Sequence, residues 1–104
     1  MEQIKRRRIS TKERNEFYKM YNGRCAYCGA HVTFRGMQID HKIPLVINGE
    51  DTKENMLPAC RMCLTMKGNS NVESFRKNVF LTIKLHTGIS YPVSFYFERV
   101  GVNK

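Results

Sequence analysis

MQIDHKIPLVINGEDTKENMLPACRMCLTMKG, residues 37–68, is the stretch on which the reading of this chain turns. Met37 to Asp40 reads as a short strand that runs directly into His41, and it continues an extended segment from Val32 that is broken by a turn at Arg35-Gly36. Residues 42–56 carry Pro44 and Asn48-Gly49 and lack any regular apolar period, which makes them a loop. Met56-Leu-Pro-Ala59 then leads into Cys60-Arg-Met-Cys63, and a short helix is expected after Cys63, ending at Gly68. An Asp-His pair at the end of a strand thus stands at one end of a loop, and a C-x2-C turn stands at the other.

A second pair, Cys25 and Cys28, precedes this stretch, so the chain reads C-x2-C-x31-C-x2-C. Each pair sets two thiolates on a tight turn. Two such turns can close a tetrahedral all-sulfur site of the kind that binds Zn2+. Gly29 lets the backbone approach the sulfurs. With sulfur in all four positions there is no open coordination site, so the metal is expected to be structural, its binding energy counting toward folding. Four cysteines are also the number for two disulfides in a secreted protein. No apolar run follows the basic N-terminus, so no signal peptide is expected, and the paired spacing fits metal ligands in a reducing, cytoplasmic setting better.

Upstream, residues 1–9 read as a basic arm, and residues 10–104 as a single domain with its core at about 23–78. Ser10 and Glu13 form an S-x-x-E capping box for a helix from about Thr11 to Tyr21. Phe17, Met20 and Tyr21 fall on one face of that helix, with Lys12, Arg14 and Lys19 outside, and Asn22-Gly23 stops it. Downstream, Asn71 is placed to cap a helix with Val72, Phe75 and Val79 on one face. Leu81, Ile83 and Leu85 alternate with polar residues, as do Val93, Phe95 and Phe97. A hairpin around His86-Thr-Gly88 is one reading, and prolongation of the preceding helix through the first arm is the other. Phe95, Tyr96 and Phe97 read as strand core rather than a base-stacking platform. His31 and His86 read as surface or packing residues.

The 104 residues carry 18 Lys+Arg against 9 Asp+Glu, a formal charge of +9. Residues 1–24 contribute +5 of this, through Lys5, Arg6, Arg7, Arg8, Lys12, Arg14, Lys19 and Arg24 against three glutamates. The excess favours a polyanionic partner, nucleic acid before anionic membrane. No run approaches the ~20 apolar residues of a membrane span.

The ordered set Asp40-His41, Pro44-Leu45, Gly49, Glu54-Asn55, Cys60-x2-Cys63 and Lys67-Gly68, preceded by the first cysteine pair, resembles the HNH endonucleases. The resemblance covers about residues 23–78. More weakly, ESFRK at 73–77 and the VSFYFERVG tail resemble small phage-encoded members. It implies an α+β fold, a ββα-metal core braced by a four-cysteine zinc site, here with an N-terminal helix and a C-terminal helix or hairpin extension. It also implies DNA phosphodiester hydrolysis leaving 5′-phosphate and 3′-hydroxyl ends. His41 would be the general base, since a neutral imidazole takes a proton from water near pH 7. Asp40 would hold one divalent ion, Mg2+ or Mn2+, hard cations that prefer carboxylate, phosphate and water. Asn55 would bond across the loop backbone and fix His41. Lys5, Arg6, Arg7, Arg8, Lys42, Arg61 and Lys67 would contribute phosphate contacts with little sequence readout. DNA is the expected partner, with RNA a second polyanion of the same kind.

One position departs from the pattern. The residue after the last cysteine in this family is usually Asn or His, a second ligand to the catalytic ion, and here it is Leu64, which has no lone pair. Thr65 lies about 100° further round a helix. Lys67, at i+3, shares the face of Leu64, so its ammonium either approaches the phosphate or faces solvent as an ordinary lysine. A second reading follows, a zinc-stabilised nucleic-acid binder on an inactivated HNH scaffold, assisting phage packaging or a partner enzyme. A zinc-ribbon protein–protein adaptor is a third.

Overall fold

The structure is a computed structural model and describes residues 8–88 and 94–100. Its order is helix α1 (Thr11–Met20), strand β1 (Gln38–His41), strand β2 (Met56–Ala59), helix α2 (Arg61–Lys67), helix α3 (Val72–Thr87) and a short helix α4 (Tyr96–Arg99). The β1 and β2 strands pair antiparallel, with Gln38 opposite Ala59 and His41 opposite Met56. With α2 following at once, they form the expected ββα unit. All four residues of β2 are buried.

The capping box on α1 forms as the sequence requires, with Ser10 Oγ accepting from the Glu13 N–H and the Glu13 carboxylate accepting from the Ser10 N–H. Phe17 and Tyr21 are buried, but Met20 is 53% exposed, so the apolar face of α1 is narrower than its spacing suggests. Arg14 is not a solvent residue. Its guanidinium donates to the carbonyls of Phe34 (2.7 Å) and Met37 (3.0 Å) and lies over the Phe34 ring, which ties α1 to the segment entering β1.

Between the strands, the chain makes two 3-10 turns, Leu45–Ile47 and Lys53–Asn55. Gly49 closes this loop onto itself. A Cβ there would sit 1.7 Å from the Ile43 carbonyl oxygen, so only glycine allows the two backbones this close.

Beyond α2, Asn71 Oδ1 accepts from the Ser74 N–H at 2.8 Å and caps α3 as expected. Phe75 of α3 is buried, with Val72 and Val79 packed at the edge of the core. Residues 81–85 continue α3, so the helical reading of that segment holds and its strand reading does not. The other arm of the expected hairpin is also not a strand where it is described. Ser94 and Phe95 lead into α4 instead, and Val93 lies outside the described residues. Alternation over five or six residues fits a helix edge as well as a strand, and packing decided between them.

What α4 delivers is aromatic. Phe95 and Phe97 are buried with Tyr27 and Phe75, Tyr27 standing edge-on to Phe75 (5.3 Å) and Phe95 (5.4 Å) while Phe75 and Phe95 stack at 5.5 Å. These rings are core, as expected. Arg76 closes the cluster from outside, with its guanidinium 4.8 Å from the Phe95 ring centre and paired to Glu98. That pairing holds the Glu98 carboxyl below its usual range. No helix among the described residues is long and apolar enough to cross a membrane.

Candidate functional site

The four cysteines converge. All four Sγ atoms lie within 4.8 Å of one another, and Cys28 Sγ stands 3.8 Å from Cys60 Sγ. Zn–S bonds of about 2.3 Å in a tetrahedron set sulfurs about 3.8 Å apart, so the set fits a four-sulfur zinc site. Each knuckle is built by its own backbone. Gly29, at φ +79°, donates its N–H to the Cys25 carbonyl at 2.9 Å, and Cys60 caps α2 by accepting the Cys63 N–H at its sulfur.

The charges show the same convergence. A hydrogen bond from Cys63 lowers the Cys25 thiol to a pKa of about 4 despite its burial. That same bond pushes the Cys63 thiol far up, and burial raises Cys28. Four sulfurs this close cannot all ionise unaided, because neighbouring thiolates repel one another. A divalent cation resolves the conflict by stabilising all of them as thiolates.

Cys25 and Cys63 are also core residues, so the cluster is continuous with the aromatic core. Tyr27, between the first two cysteines, links that core to the next feature. Its hydroxyl donates to Asp40 Oδ2 at 2.6 Å. Burial, then the Asp40 charge, drives the Tyr27 pKa far upward, so the phenol stays protonated and remains a donor.

Asp40 and His41 end β1 side by side, 6% and 5% exposed. Lys67 reaches both of them from α2. Its ammonium lies 3.0 Å from Asp40 Oδ2 and donates to the His41 carbonyl at 2.9 Å. Lys67 is 3% exposed, so its charge is spent inside the protein, where neither solvent nor a surface phosphate meets it. Asp40 Oδ2 therefore carries two donors, while no described residue bonds Oδ1. One carboxylate oxygen remains for a divalent ion, which fits the single-carboxylate way in which Mg2+ is often held. Leu64 sits half-buried one turn before Lys67 on the same helix and offers no ligand atom.

A buried ion pair of this kind gives a large expected effect. Lys67→Met leaves a buried carboxylate without its counter-charge and is expected to cost about 3–5 kcal/mol in chemical denaturation. Adding Asp40→Leu should recover much of that loss, because it removes the stranded charge.

Asn55 bonds across the loop backbone. Its Oδ1 accepts from the Ile43 N–H (3.0 Å), and its Nδ2 donates to the carbonyls of Ile43 (2.9 Å) and Glu50 (2.7 Å). The side chain is a brace across the loop that follows His41. Lys42 is pinned at both ends of its peptide, its N–H donating to the Asn55 carbonyl and its carbonyl accepting from Val72. Burial lowers the pKa of its half-buried ammonium. Arg8 and Arg61 are exposed, and Lys5, Arg6 and Arg7 lie outside the described residues.

Sequence reasoning missed Asp51. Its Oδ1 stands 2.9 Å from His41 Nε2, so the loop supplies a carboxylate to the imidazole. Only its place between Gly49 and Asn55 in the loop after His41 pointed to it. Tyr27 gave no signal either, since the two positions inside a C-x2-C turn are not constrained by metal binding.

Residues 25–70 match the HNH endonuclease family model. Among curated proteins, a CRISPR-associated endonuclease Cas9 of Corynebacterium diphtheriae is 38% identical over 58 residues, 55% of this chain and 5% of that protein. Among solved structures, the Type II-C Cas9 enzyme from Actinomyces naeslundii aligns with a TM-score of 0.61 at 20% identity, over 86% of this chain and 10% of that one. The chain thus spans a small fraction of either protein's length, and the structural likeness is one of fold.

Proposed function

Because residues 25–70 carry an HNH endonuclease domain, we propose that the chain is a metal-dependent nuclease that hydrolyses DNA phosphodiester bonds, leaving 5′-phosphate and 3′-hydroxyl ends. The observation that carries this reading is the arrangement on one ββα unit. The Asp40 carboxylate and the His41 imidazole end β1, and Asn55 braces the loop behind them.

Phosphodiester hydrolysis needs a deprotonated water, neutralised phosphate charge and a stabilised leaving oxygen. His41 takes the proton from the water whose oxygen bonds to phosphorus. The P–O3′ bond then breaks, and the 3′ oxygen leaves with a proton from solvent. Asp40 would hold a Mg2+ or Mn2+ ion, which would supply positive charge to the phosphate and the departing oxygen. Lys67 and Tyr27 hold Asp40 in place through Oδ2, leaving Oδ1 for that ion. Asn55 prevents the loop from shifting under the imidazole. Cys25, Cys28, Cys60 and Cys63 would hold a Zn2+ ion, which would tie the two knuckles together. Arg8, Arg61, Lys42 and the basic arm attract the backbone phosphates.

Leu64 favours a second reading, a binder on the same scaffold that holds DNA without cutting it. Supercoiled-plasmid nicking across a range of Mg2+ and Mn2+ separates the two. Metal-dependent nicking is expected, and Leu64→Asn should lower the metal concentration required by about tenfold, the effect of ~1.4 kcal/mol of added ligation. No metal-dependent nicking by either protein, with salt-sensitive DNA binding retained, would establish the binder.

A further inference from the structure

The His41 imidazole has one nitrogen engaged and one unmet. Nε2 stands 2.9 Å from Asp51 Oδ1, whereas Nδ1 is buried with no hydrogen-bond partner. An ionised carboxylate has no proton to give, so in this pair Nε2 is the donor. The neutral ring is then the Nε2–H tautomer, and its lone pair lies on Nδ1. A buried acceptor without a partner has lost its water and gained nothing in return. Such a group in a folded protein calls for an explanation, and a catalytic role is one.

Resting on the nuclease reading above, we propose that Asp51 is the positioning residue of the catalytic imidazole, holding Nε2–H and so assigning the base to Nδ1. In the reaction the proton leaving the attacking water comes to Nδ1. The imidazolium so formed keeps Nε2–H on the Asp51 carboxylate, whose negative charge offsets the new positive one. After the P–O3′ bond breaks, Nδ1 returns its proton to solvent. Asp51 touches neither phosphate nor metal in this scheme and acts only through His41.

The fold makes the pairing specific. His41 ends β1, and Asp51 follows the loop closed at Gly49, where a side chain would collide with the Ile43 carbonyl. Asn55 holds the Glu50 carbonyl, one residue before Asp51, at 2.7 Å. The carboxylate is thus held from its own backbone, and Asn55 and Asp51 act on His41 through one segment.

Two measurements test this on the zinc-loaded protein. Nitrogen-15 spectra of the His41 ring, above the pH at which it is neutral, should show Nε2–H and a bare Nδ1, and Asp51→Ala should relax this to a mixture of tautomers. A wild-type ring protonated at Nδ1 would overturn the proposal whether or not the protein cuts DNA. In plasmid nicking, Asp51→Ala should lower kcat by about 10- to 100-fold with KM for DNA unchanged. Asp51→Asn, whose amide oxygen still accepts from Nε2–H but carries no charge, should keep the Nε2–H tautomer and recover only part of the rate. Wild-type or faster nicking by Asp51→Ala would mean the carboxylate obstructs the ring instead of positioning it. Absence of nicking in the wild type, with the Nε2–H tautomer present, would sink the nuclease reading and leave the pairing standing.

Discussion

Removal of metal from the four-sulfur site is expected to unfold most of this chain. A strong zinc chelator at neutral pH should abolish the cooperative thermal transition and much of the helical circular dichroism, and Zn2+ added back should restore both. Structural zinc contributes roughly 10–16 kcal/mol of apparent folding free energy in small zinc-dependent peptides. A whole domain is stable by only about 5–15 kcal/mol. Here the ligands are also core. Cys25 is fully buried and Cys63 nearly so, packed with Tyr27, Phe75 and the β2 residues, so losing a metal bound there would open the centre. The sign with pH follows from the thiols. Burial raises Cys28 and the bond from Cys25 raises Cys63, so metal binding must drive protons off both. Affinity therefore rises with pH and falls on acidification, and zinc release followed with a chromogenic chelator should come at progressively lower chelator concentration as the pH is lowered. Cys25→Ser should be more damaging than Cys28→Ser, because the Cys28 side chain is exposed and water can serve in its place. Persistence of the folded spectrum and transition after full chelation would show that the hydrophobic core suffices alone.

That site and the ββα unit around it were legible because their signals are local. Two residues between ligands set a knuckle whatever the rest of the chain does, and a capping box or an Asn at the head of a helix is read from neighbours three positions apart. The brace by Asn55 was legible only through the ordered motif, since an asparagine in a loop announces nothing by itself. The inward course of Lys67 was not legible. Its spacing from Leu64 gave the face of α2, but whether that face meets solvent or β1 depends on how the helix docks. Asp40 decides that by offering a buried carboxylate to the only ammonium within reach on that face. The same holds for the last quarter of the chain. Leu81, Ile83 and Leu85 satisfy a two-residue period over too short a window to exclude a helix, and Leu85 ends up 85% exposed on α3. Asp51 was hidden for the opposite reason. Its partner is ten residues away, and only the closure at Gly49 brings the two together.

The second large effect is expected at His41. Replacement by alanine should lower metal-dependent nicking by about 10²–10⁴-fold, the usual worth of a positioned general base. Loss of DNA binding is not expected if the phosphate contacts come, as proposed, from basic residues elsewhere, and the slope of binding against salt should then be unchanged. His41 is only 5% exposed, and deleting its ring leaves a cavity, so some stability will be lost with it. His41→Gln separates the two effects. Glutamine fills much of the same space and can still donate an N–H to Asp51, yet it has no basic nitrogen at neutral pH. If the imidazole is the base, glutamine should restore stability and zinc retention without restoring nicking. The backbone adds a control of its own. Lys67 bonds the His41 carbonyl, which both variants keep, so the ammonium remains on Asp40 and the carboxylate stays in place. A rate in His41→Gln within a few-fold of wild type would remove His41 from the chemistry.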